Sequence, residues 1–298
     1  MYDIKALYEA SSVEEAVALL TAHPQAIIIA GGSDVLVKMR EGALAGAELV
    51  SIYMIDALRG VSMDEDGTIR IGSLTSFSHL EKDPIINACI PVLGEAAGTV
   101  GSPQIRAIGT IGGNSCNGVT SADTASTLQA LDAVVELTGP EGVRTVSIRD
   151  FYIKAKVVDI RPGELQTAIL IPEDSYKNCF GHYIKYAMRN ALDIATTGCS
   201  VNVRLSGDKK TFDRVRAGFG VTAPVPMRAA KAEAFINGKA VTAANIRAFA
   251  REILSDITPR DSWRASKEFR EHAACVMAER ALKKSVLMAG GTIDEETV

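Results

Sequence analysis

The feature that most constrains the fold is an apolar run that ends in two consecutive glycines. Residues 26–30 read Ala-Ile-Ile-Ile-Ala, which is typical of a short strand covered on both faces. Gly31 and Gly32 end this strand, and a helical pattern begins at Ser33 and Asp34. Since a helix is also predicted before this strand, the chain opens with a β-α-β-like order. A second helix then follows a tight glycine bend.

The helix before this strand has its own start signal. Ser12 and Glu15 have the spacing of a capping box, in which each side chain bonds a free backbone N–H of the first turn. The pattern therefore predicts that this helix begins directly after Ser12.

The remaining pattern predicts two further units. A helix near 124–133 precedes a hairpin of strands 134–138 and 143–148, and a strand at 165–172 ends in a turn. Beyond that turn, three strands near 180–186, 199–205 and 215–221 precede three helices. We therefore predict a first domain at 1–175, with subdomains 1–55 and 56–175, and a small α+β domain at 176–291. A tail at 292–298 follows, of which residues 294–298 are predicted to be disordered.

Composition excludes several classes of function. A net charge of -4 and an isoelectric point near 5.7 leave no basic surplus for a nucleic-acid partner. No run of about 18 apolar residues indicates a membrane span, and the N-terminus lacks a signal-peptide pattern, so we expect a cytoplasmic protein. The five cysteines are widely separated and form no Cys-x-x-Cys pair, which argues against disulfides, zinc or an iron–sulfur cluster on this chain.

The first glycine segment, residues 27–34, has the features of an anion site. A strand that leads through paired glycines into a helix presents free backbone N–H groups at the positive end of the helix. Glycine also leaves no side chain between the backbone and a diphosphate. The alternative is an ordinary turn with Ser33 as the helix cap. The segment matches neither the Gly-x-Gly-x-x-Gly fingerprint nor the P-loop.

A second glycine segment covers residues 101–118, with five glycines in eighteen residues. It also carries Thr110, Asn114 and Asn117, a composition that predicts a flexible loop lying close to a ligand. Asp123 follows shortly afterwards, just before the helix predicted near 124–133, and its alternative role is to cap that helix.

These motifs together resemble one family. Residues 30–34 (Ala-Gly-Gly-Ser-Asp), 110–114 (Thr-Ile-Gly-Gly-Asn) and 121–123 (Ser-Ala-Asp) are similar to the FAD-binding subunit of the xanthine dehydrogenase family of molybdenum hydroxylases. Residues 185–189 (Lys-Tyr-Ala-Met-Arg) and 263–270 resemble its C-terminal flavoprotein domain. The similarity covers nearly the whole chain.

The resemblance implies the fold and the cofactor site. It implies an α+β protein: a two-subdomain FAD-binding domain of the vanillyl-alcohol-oxidase type, followed by a small domain with a three-stranded antiparallel sheet and three helices. The first loop would bind the diphosphate, and the second would lie along the flavin, ribityl and phosphate groups. Asp123 would serve the adenosine side or the geometry of the second loop. Leu165 and Lys185 would contact the isoalloxazine region. The implied FAD-binding residues are Ile27, Ile28, Ile29, Ala30, Gly31, Gly32, Ser33, Asp34, Gly109, Thr110, Ile111, Gly112, Gly113, Asn114, Asp123, Leu165 and Lys185.

The resemblance also implies an activity and partners. Electrons would leave a molybdenum cofactor (molybdopterin) on a large subunit, pass through [2Fe-2S] clusters on a small subunit, and reach non-covalent FAD here, which would reduce NAD. We therefore expect a hetero-oligomer that oxidises a purine such as xanthine. Alternatives are a flavin subunit for carbon monoxide, an aldehyde, nicotinate or another N-heterocycle, or a hydroxybenzoyl thioester, and a flavin-free assembly protein of the same fold.

Because a flavin carries its own redox chemistry, no acid–base residue is predicted. Lys185 would stabilise the anionic reduced flavin electrostatically, unless it is a surface lysine. None of the four histidines or Cys116 lies in a covalent attachment motif. Arg189 and Asp193 could face either the flavin or a partner, and Trp263 is either a partner anchor or a core residue.

Overall fold

The computed structural model describes residues 3–294 and begins with a small parallel sheet. Strands β1, β3 and β2 lie side by side in that order, all parallel. The elements are β1 (Ile4–Glu9), α1 (Val13–Ala22), β2 (Ile27–Ile29), α2 (Val35–Arg40) and β3 (Ala47–Ser51). The predicted β-α-β start is therefore present, and helix α2 begins directly after the first glycine loop.

The next unit is built on a five-stranded antiparallel sheet in the order β4-β5-β10-β6-β7. A single-turn 3-10 helix, Asp56–Leu58, precedes it. The elements are β4 (Val61–Met63), β5 (Ile69–Gly72), α3 (Phe77–Lys82), α4 (Pro84–Cys89), α5 (Pro91–Gly98), α6 (Pro103–Ile108), α7 (Ile111–Cys116), α8 (Asp123–Ala130), β6 (Val134–Gly139), β7 (Gly142–Ser147), α9 (Ile148–Phe151), β8 (Tyr152–Lys154), β9 (Val157–Val158) and β10 (Leu165–Ile171). The central strand β10 contributes Ile169 and Ile171 to the core of this unit and Leu165 to the core cluster of the first sheet.

The C-terminal part packs three helices against an antiparallel sheet ordered β11-β12-β13-β14. Its elements are α10 (Glu173–Tyr176), β11 (Phe180–Tyr186), β12 (Thr197–Leu205), β13 (Phe212–Gly220), β14 (Met227–Arg228), α11 (Ala230–Ile236), α12 (Ala243–Glu252), the 3-10 turn Ile253–Ser255 and α13 (Lys267–Met288). The expected three strands are joined by β14, whose two residues are too short to give a sequence signal. The α+β fold class is confirmed, and the domain limits remain predictions.

Helix α8 joins the two parts of the molecule, and every residue in it is buried. Strand β13 crosses it so closely that a Cβ on Gly218 would lie 1.9 Å from the carbonyl oxygen of Ser126. Gln129 donates a hydrogen bond across the junction to the carbonyl of Pro226 at 3.2 Å. Asp132, just after the helix, forms ion pairs with Arg216 and Arg228 of the C-terminal sheet. This packing fixes the C-terminal sheet against the first domain.

Three local expectations change in the structure. Ser12 caps α1 as predicted, but the Glu15 carboxylate accepts from the backbone N–H of Ser11 rather than that of Ser12. The second glycine segment is mostly helical, forming α6 and α7, because Ser102 and Thr110 cap two short turns. Asp294 pairs with Thr242, whereas residues 295–298 lie outside the described range. Among residues 3–294, no helix is long and apolar enough to cross a membrane.

Candidate functional site

A cavity of about 330 Å³ lies where the two glycine segments meet the end of β10. Its walls are mainly aliphatic, with a small number of polar groups. The lining residues are Ile27, Ile28, Ala30, Gly31, Gly32, Ser33, Asp34, Val35, Lys38, Ile52, Ser73, Leu74, Phe77, Val100, Ile105, Gly109, Thr110, Gly112, Gly113, Asn114, Cys116, Asn117, Ile160, Leu165 and Gln166. An elongated ligand with apolar rings and a few hydrogen-bonding groups suits such a lining.

The first glycine loop supplies free backbone donors to this cavity. Within residues 3–294, the N–H groups of Gly31, Gly32, Ser33 and Asp34 donate no hydrogen bond. Gly32 has a φ of +74°, a left-handed conformation that favours glycine and turns the loop toward α2. Several unpaired N–H groups at one bend form a concave donor surface suited to an anion.

Two glycines also permit close packing near the cavity, Gly31 against the second glycine segment and Gly112 against Ser73. A Cβ on Gly31 would lie 1.7 Å from the carbonyl oxygen of Ile108, and one on Gly112 would lie 2.6 Å from the Cβ of Ser73. These glycines are therefore required for close packing within the chain, and not only for the close approach of a ligand. This contact is invisible in the sequence because the residues involved are far apart along the chain.

Most backbone N–H groups of the second glycine segment already have partners within the chain. The N–H groups of Gly112, Gly113 and Asn114 are already bonded to Ser73 O, Thr110 Oγ1 and Thr110 O, at 2.9, 3.1 and 3.0 Å. The expectation of a flexible loop is wrong here, because these N–H groups are bonded at the start of helix α7. Thr110 still lines the cavity, and among residues 3–294 its own N–H donates no hydrogen bond. Asn114 accepts from Thr124 through Oδ1 at 2.7 Å, so its amide nitrogen remains free to donate.

Three polar lining residues are absent from the sequence prediction: Lys38, Ser73 and Gln166. Lys38 forms an ion pair with Asp34, one helical turn earlier, so its amino group is held beside the first loop. This i,i+4 pair is visible in the sequence and could have been found. Ser73 follows β5 and Gln166 lies on β10, and only the pairing of these strands brings them to the cavity.

The comparisons with known proteins identify the family. The profile described as FAD binding domain in molybdopterin dehydrogenase matches residues 2–174, and that of the CO dehydrogenase flavoprotein C-terminal domain matches residues 182–285. The chain belongs to the FAD-binding subunits of the molybdenum hydroxylase family. It is similar to a putative xanthine dehydrogenase FAD-binding subunit of Escherichia coli strain K12, with 38% identity over 293 residues, 98% of this chain and 100% of that protein.

Other relatives support the same family. The carbon monoxide dehydrogenase medium chain of Afipia carboxidovorans is 34% identical over 278 residues, 92% of this chain and 94% of that protein. A solved Cu,Mo-CO dehydrogenase in its cyanide-inactivated form matches with a TM-score of 0.90 and 30% identity, covering 96% of this chain and 99% of that chain. These matches confirm the family resemblance inferred from the motifs.

The cavity fits FAD on the evidence of its own atoms. The free amides of the first loop suit the diphosphate, and the aliphatic walls suit the rings. FAD would supply the redox chemistry, and the protein would supply binding and orientation.

Four of the predicted site residues do not line the cavity: Ile29, Ile111, Asp123 and Lys185. The carboxylate of Asp123 accepts from Lys185 Nζ at 2.9 Å and from the Tyr183 hydroxyl at 3.3 Å. Lys185 also donates to the carbonyl of Thr99 at 3.1 Å, next to the cavity wall. This buried pair therefore joins β11 to α8, and a direct contact of either residue with flavin remains a prediction.

Cys116 lies in the cavity wall as a neutral thiol. Burial raises its pKa to about 12, although a hydrogen bond with Ser115 opposes the shift. Its thiol donates to Gln166 Oε1 at 3.0 Å. Because the thiolate is the nucleophilic form, this cysteine is poorly suited to forming a covalent bond to a cofactor at neutral pH.

Proposed function

We propose that this chain binds FAD non-covalently in the cavity and serves as the electron-relaying subunit of a xanthine dehydrogenase-like molybdenum hydroxylase. In this role it takes electrons from [2Fe-2S] clusters on a small subunit, which receives them from a molybdopterin-containing large subunit. The bound FAD then reduces NAD. The substrate is set by the large subunit.

The observation that carries the proposal is that the N–H groups from Gly31 to Asp34 find no partner within residues 3–294, and that these residues line a cavity with apolar walls. Hydrogen bonds from oriented amides to a charged diphosphate are stronger than those between neutral groups. Lys38 adds a positive charge next to this loop, and its pairing with Asp34 keeps the local charge balanced. The unpaired amides, rather than a net local charge, favour an anionic dinucleotide over a neutral ligand.

The relation to xanthine-type enzymes rests on the Escherichia coli relative, which matches over its whole length. The carbon monoxide dehydrogenase medium chains match almost as completely, so the fold and loops of this chain are compatible with several substrates. A flavin carries its own redox chemistry and requires no acid–base group from this chain. The electron-relaying role is therefore the same whichever substrate the large subunit oxidises.

Flavin binding is tested with the purified full chain. We expect a yellow protein with an oxidised-flavin spectrum, and FAD titration of stripped protein should restore that spectrum. The double variant Gly31→Val, Gly32→Val should bind no FAD, because the added side chains push the first loop off the second. A matched control is Gly207→Val on an exposed turn, where a Cβ meets no atom within 4 Å. A colourless wild-type protein that does not bind added FAD would contradict the proposal and favour the alternative of a flavin-free assembly protein.

The electron route is tested separately. Anaerobic NADH should bleach the flavin absorbance of the wild-type chain by reversing the proposed hydride transfer to NAD. An affinity-tagged chain expressed in its native cells should co-purify a molybdopterin protein and a small cysteine-rich protein. The complex should reduce NAD when given xanthine. If bound FAD is unaffected by NADH but is bleached by xanthine within the complex, NAD is the wrong acceptor and the relay assignment stands.

A further inference from the structure

Among the described residues that line the cavity, only two are charged, and they are paired with each other. They are Asp34 and Lys38, which form an ion pair across one helical turn. FAD carries a negative charge on each of its phosphates, and charged donors bind phosphate oxygens more strongly than neutral donors do. Lys38 is therefore the one lining side chain, within this part of the chain, that offers a cation to the diphosphate.

The Lys38 ammonium touches both glycine segments. From α2 it reaches the side-chain carbonyl of Asn117, the residue that follows α7, with Nζ and Oδ1 3.4 Å apart. Its other partner, Asp34, belongs to the bend whose N–H groups donate to no described atom. The ammonium is thus held on the side of the cavity where the unpaired amides lie, and where a diphosphate bound by those amides would come closest to it.

Both present contacts of Lys38 are weak enough to be exchanged. A separation of 3.4 Å exceeds the range of about 2.7–3.2 Å for ordinary N–H···O hydrogen bonds, so the contact with Asn117 is poor. The side chains of Asp34 and Lys38 are 48% and 39% exposed, and ion pairs this open to solvent contribute little to stability. Because an ammonium has several N–H donors, it can keep Asp34 while a phosphate oxygen replaces Asn117.

We propose that Lys38 is a phosphate-contacting residue, whose ammonium leaves Asn117 and donates to a diphosphate oxygen of bound FAD. The inference rests on the proposed function. Lys38 adds a charged donor to the neutral amides of the first loop, and Asp34 keeps that donor beside the bend before the cofactor binds. The Asp34 carboxylate also repels the diphosphate, an effect that the ammonium offsets.

The test compares variants of the full chain that have been stripped of flavin. Lys38→Met removes the charge and keeps the length of the side chain, whereas Lys38→Arg keeps a charge at that position. Asp34→Asn removes the partner carboxylate and leaves the Lys38 ammonium in place. Lys177→Met is the matched control, because it breaks another exposed i,i+4 pair, with Glu173, outside the cavity lining. FAD dissociation constants are measured by flavin fluorescence at about 0.01 M and about 1 M salt, with thermal midpoints in parallel.

At low salt we expect Lys38→Met to raise the FAD dissociation constant by about tenfold, because a charge-assisted hydrogen bond is lost. Lys38→Arg should recover most of this loss. Asp34→Asn should lower the dissociation constant by about threefold, since the repulsion is gone and the ammonium is released. High salt should shrink both effects. Lys177→Met should match the wild type, and all thermal midpoints should stay close together because both ion pairs are exposed.

Two results would overturn the inference and leave the proposed function intact. The first is wild-type FAD affinity in Lys38→Met, which would mean that the ammonium makes no contact with the cofactor. The second is an equal loss of affinity in Asp34→Asn and Lys38→Met, which would mean that Lys38 acts only by holding the bend through its ion pair. A wild-type chain that binds no FAD would overturn both the inference and the proposed function.

Discussion

Gly31→Ala tests the contact between the two glycine segments with a single methyl group. The added Cβ would lie 1.7 Å from the carbonyl oxygen of Ile108, whereas real Cβ atoms keep at least 3.0 Å, so the backbones must separate by at least 1.3 Å. A shift of this size moves the free amides of the first loop away from the diphosphate. Each lost hydrogen bond to a charged group costs about 1.5–3 kcal/mol, so two such losses predict an FAD dissociation constant raised at least about 100-fold.

The assay for this variant is isothermal titration of stripped protein with FAD, together with thermal unfolding. Overpacking at a tight contact costs about 1–3 kcal/mol, so we also expect a lower unfolding midpoint, by roughly 5 °C. Gly207→Ala, whose Cβ would meet no atom within 4 Å, should leave both quantities unchanged. Wild-type affinity and wild-type stability in Gly31→Ala would show that the loops are not packed as described, and the reasoning would be refuted.

Three further changes probe the buried charges. Lys185→Met leaves a buried carboxylate without its counter-charge, and should lower the unfolding free energy in urea by about 3 kcal/mol; an unchanged midpoint would contradict this. Asp132→Asn suits the left-handed backbone there (φ +46°) but removes the ion pairs with Arg216 and Arg228. We therefore expect a loss of about 1–2 kcal/mol in the free energy of unfolding, with fully retained FAD binding. The hydrogen-bonded ion pair with Arg144 lowers the pKa of Glu164 below its ordinary value of 4.5. The pair therefore stabilises the folded state above pH 4.5, and this stabilisation is lost as falling pH protonates the carboxylate. The deficit of Glu164→Gln, about 1.5 kcal/mol at pH 7, should therefore close on acidification, and a pH-independent deficit would be inconsistent with this pair.

The fold was largely predictable because its elements carry local signals. The apolar run before Gly31, the hairpin that β6 and β7 form, and the alternation of strands and helices in the C-terminal part all depend on neighbouring residues. The α+β class and the family were confirmed. The segment around Gly112 was predicted as a loop because glycine weakens helix propensity, yet Thr110 caps a helical turn there.

The candidate site was predictable only in part. The first loop and Thr110 stand out because paired glycines and small polar residues are local signals. Asp123 and Lys185 belong to the family motifs, but the structure places them in a buried pair beside the cavity rather than on its wall. Their contact with each other depends on how β11 packs on α8, a relation between residues about sixty positions apart, with Lys185 Nζ and Asp123 Oδ2 2.9 Å apart.

The sequence by itself determined where the backbone bends and which bend has the capacity to bind an anion, since both follow from glycine conformation and from the order of strand and helix. The tertiary structure alone decided which donors remain unpaired. Gly112 and Gly113 use their amides within the chain, whereas the amide of Gly31 donates to no atom of the described residues. Gln166 reaches the cavity because β10 lies at the centre of its sheet. Hydrogen-bond satisfaction depends on neighbours brought together in space, so it cannot be deduced from positions along the chain.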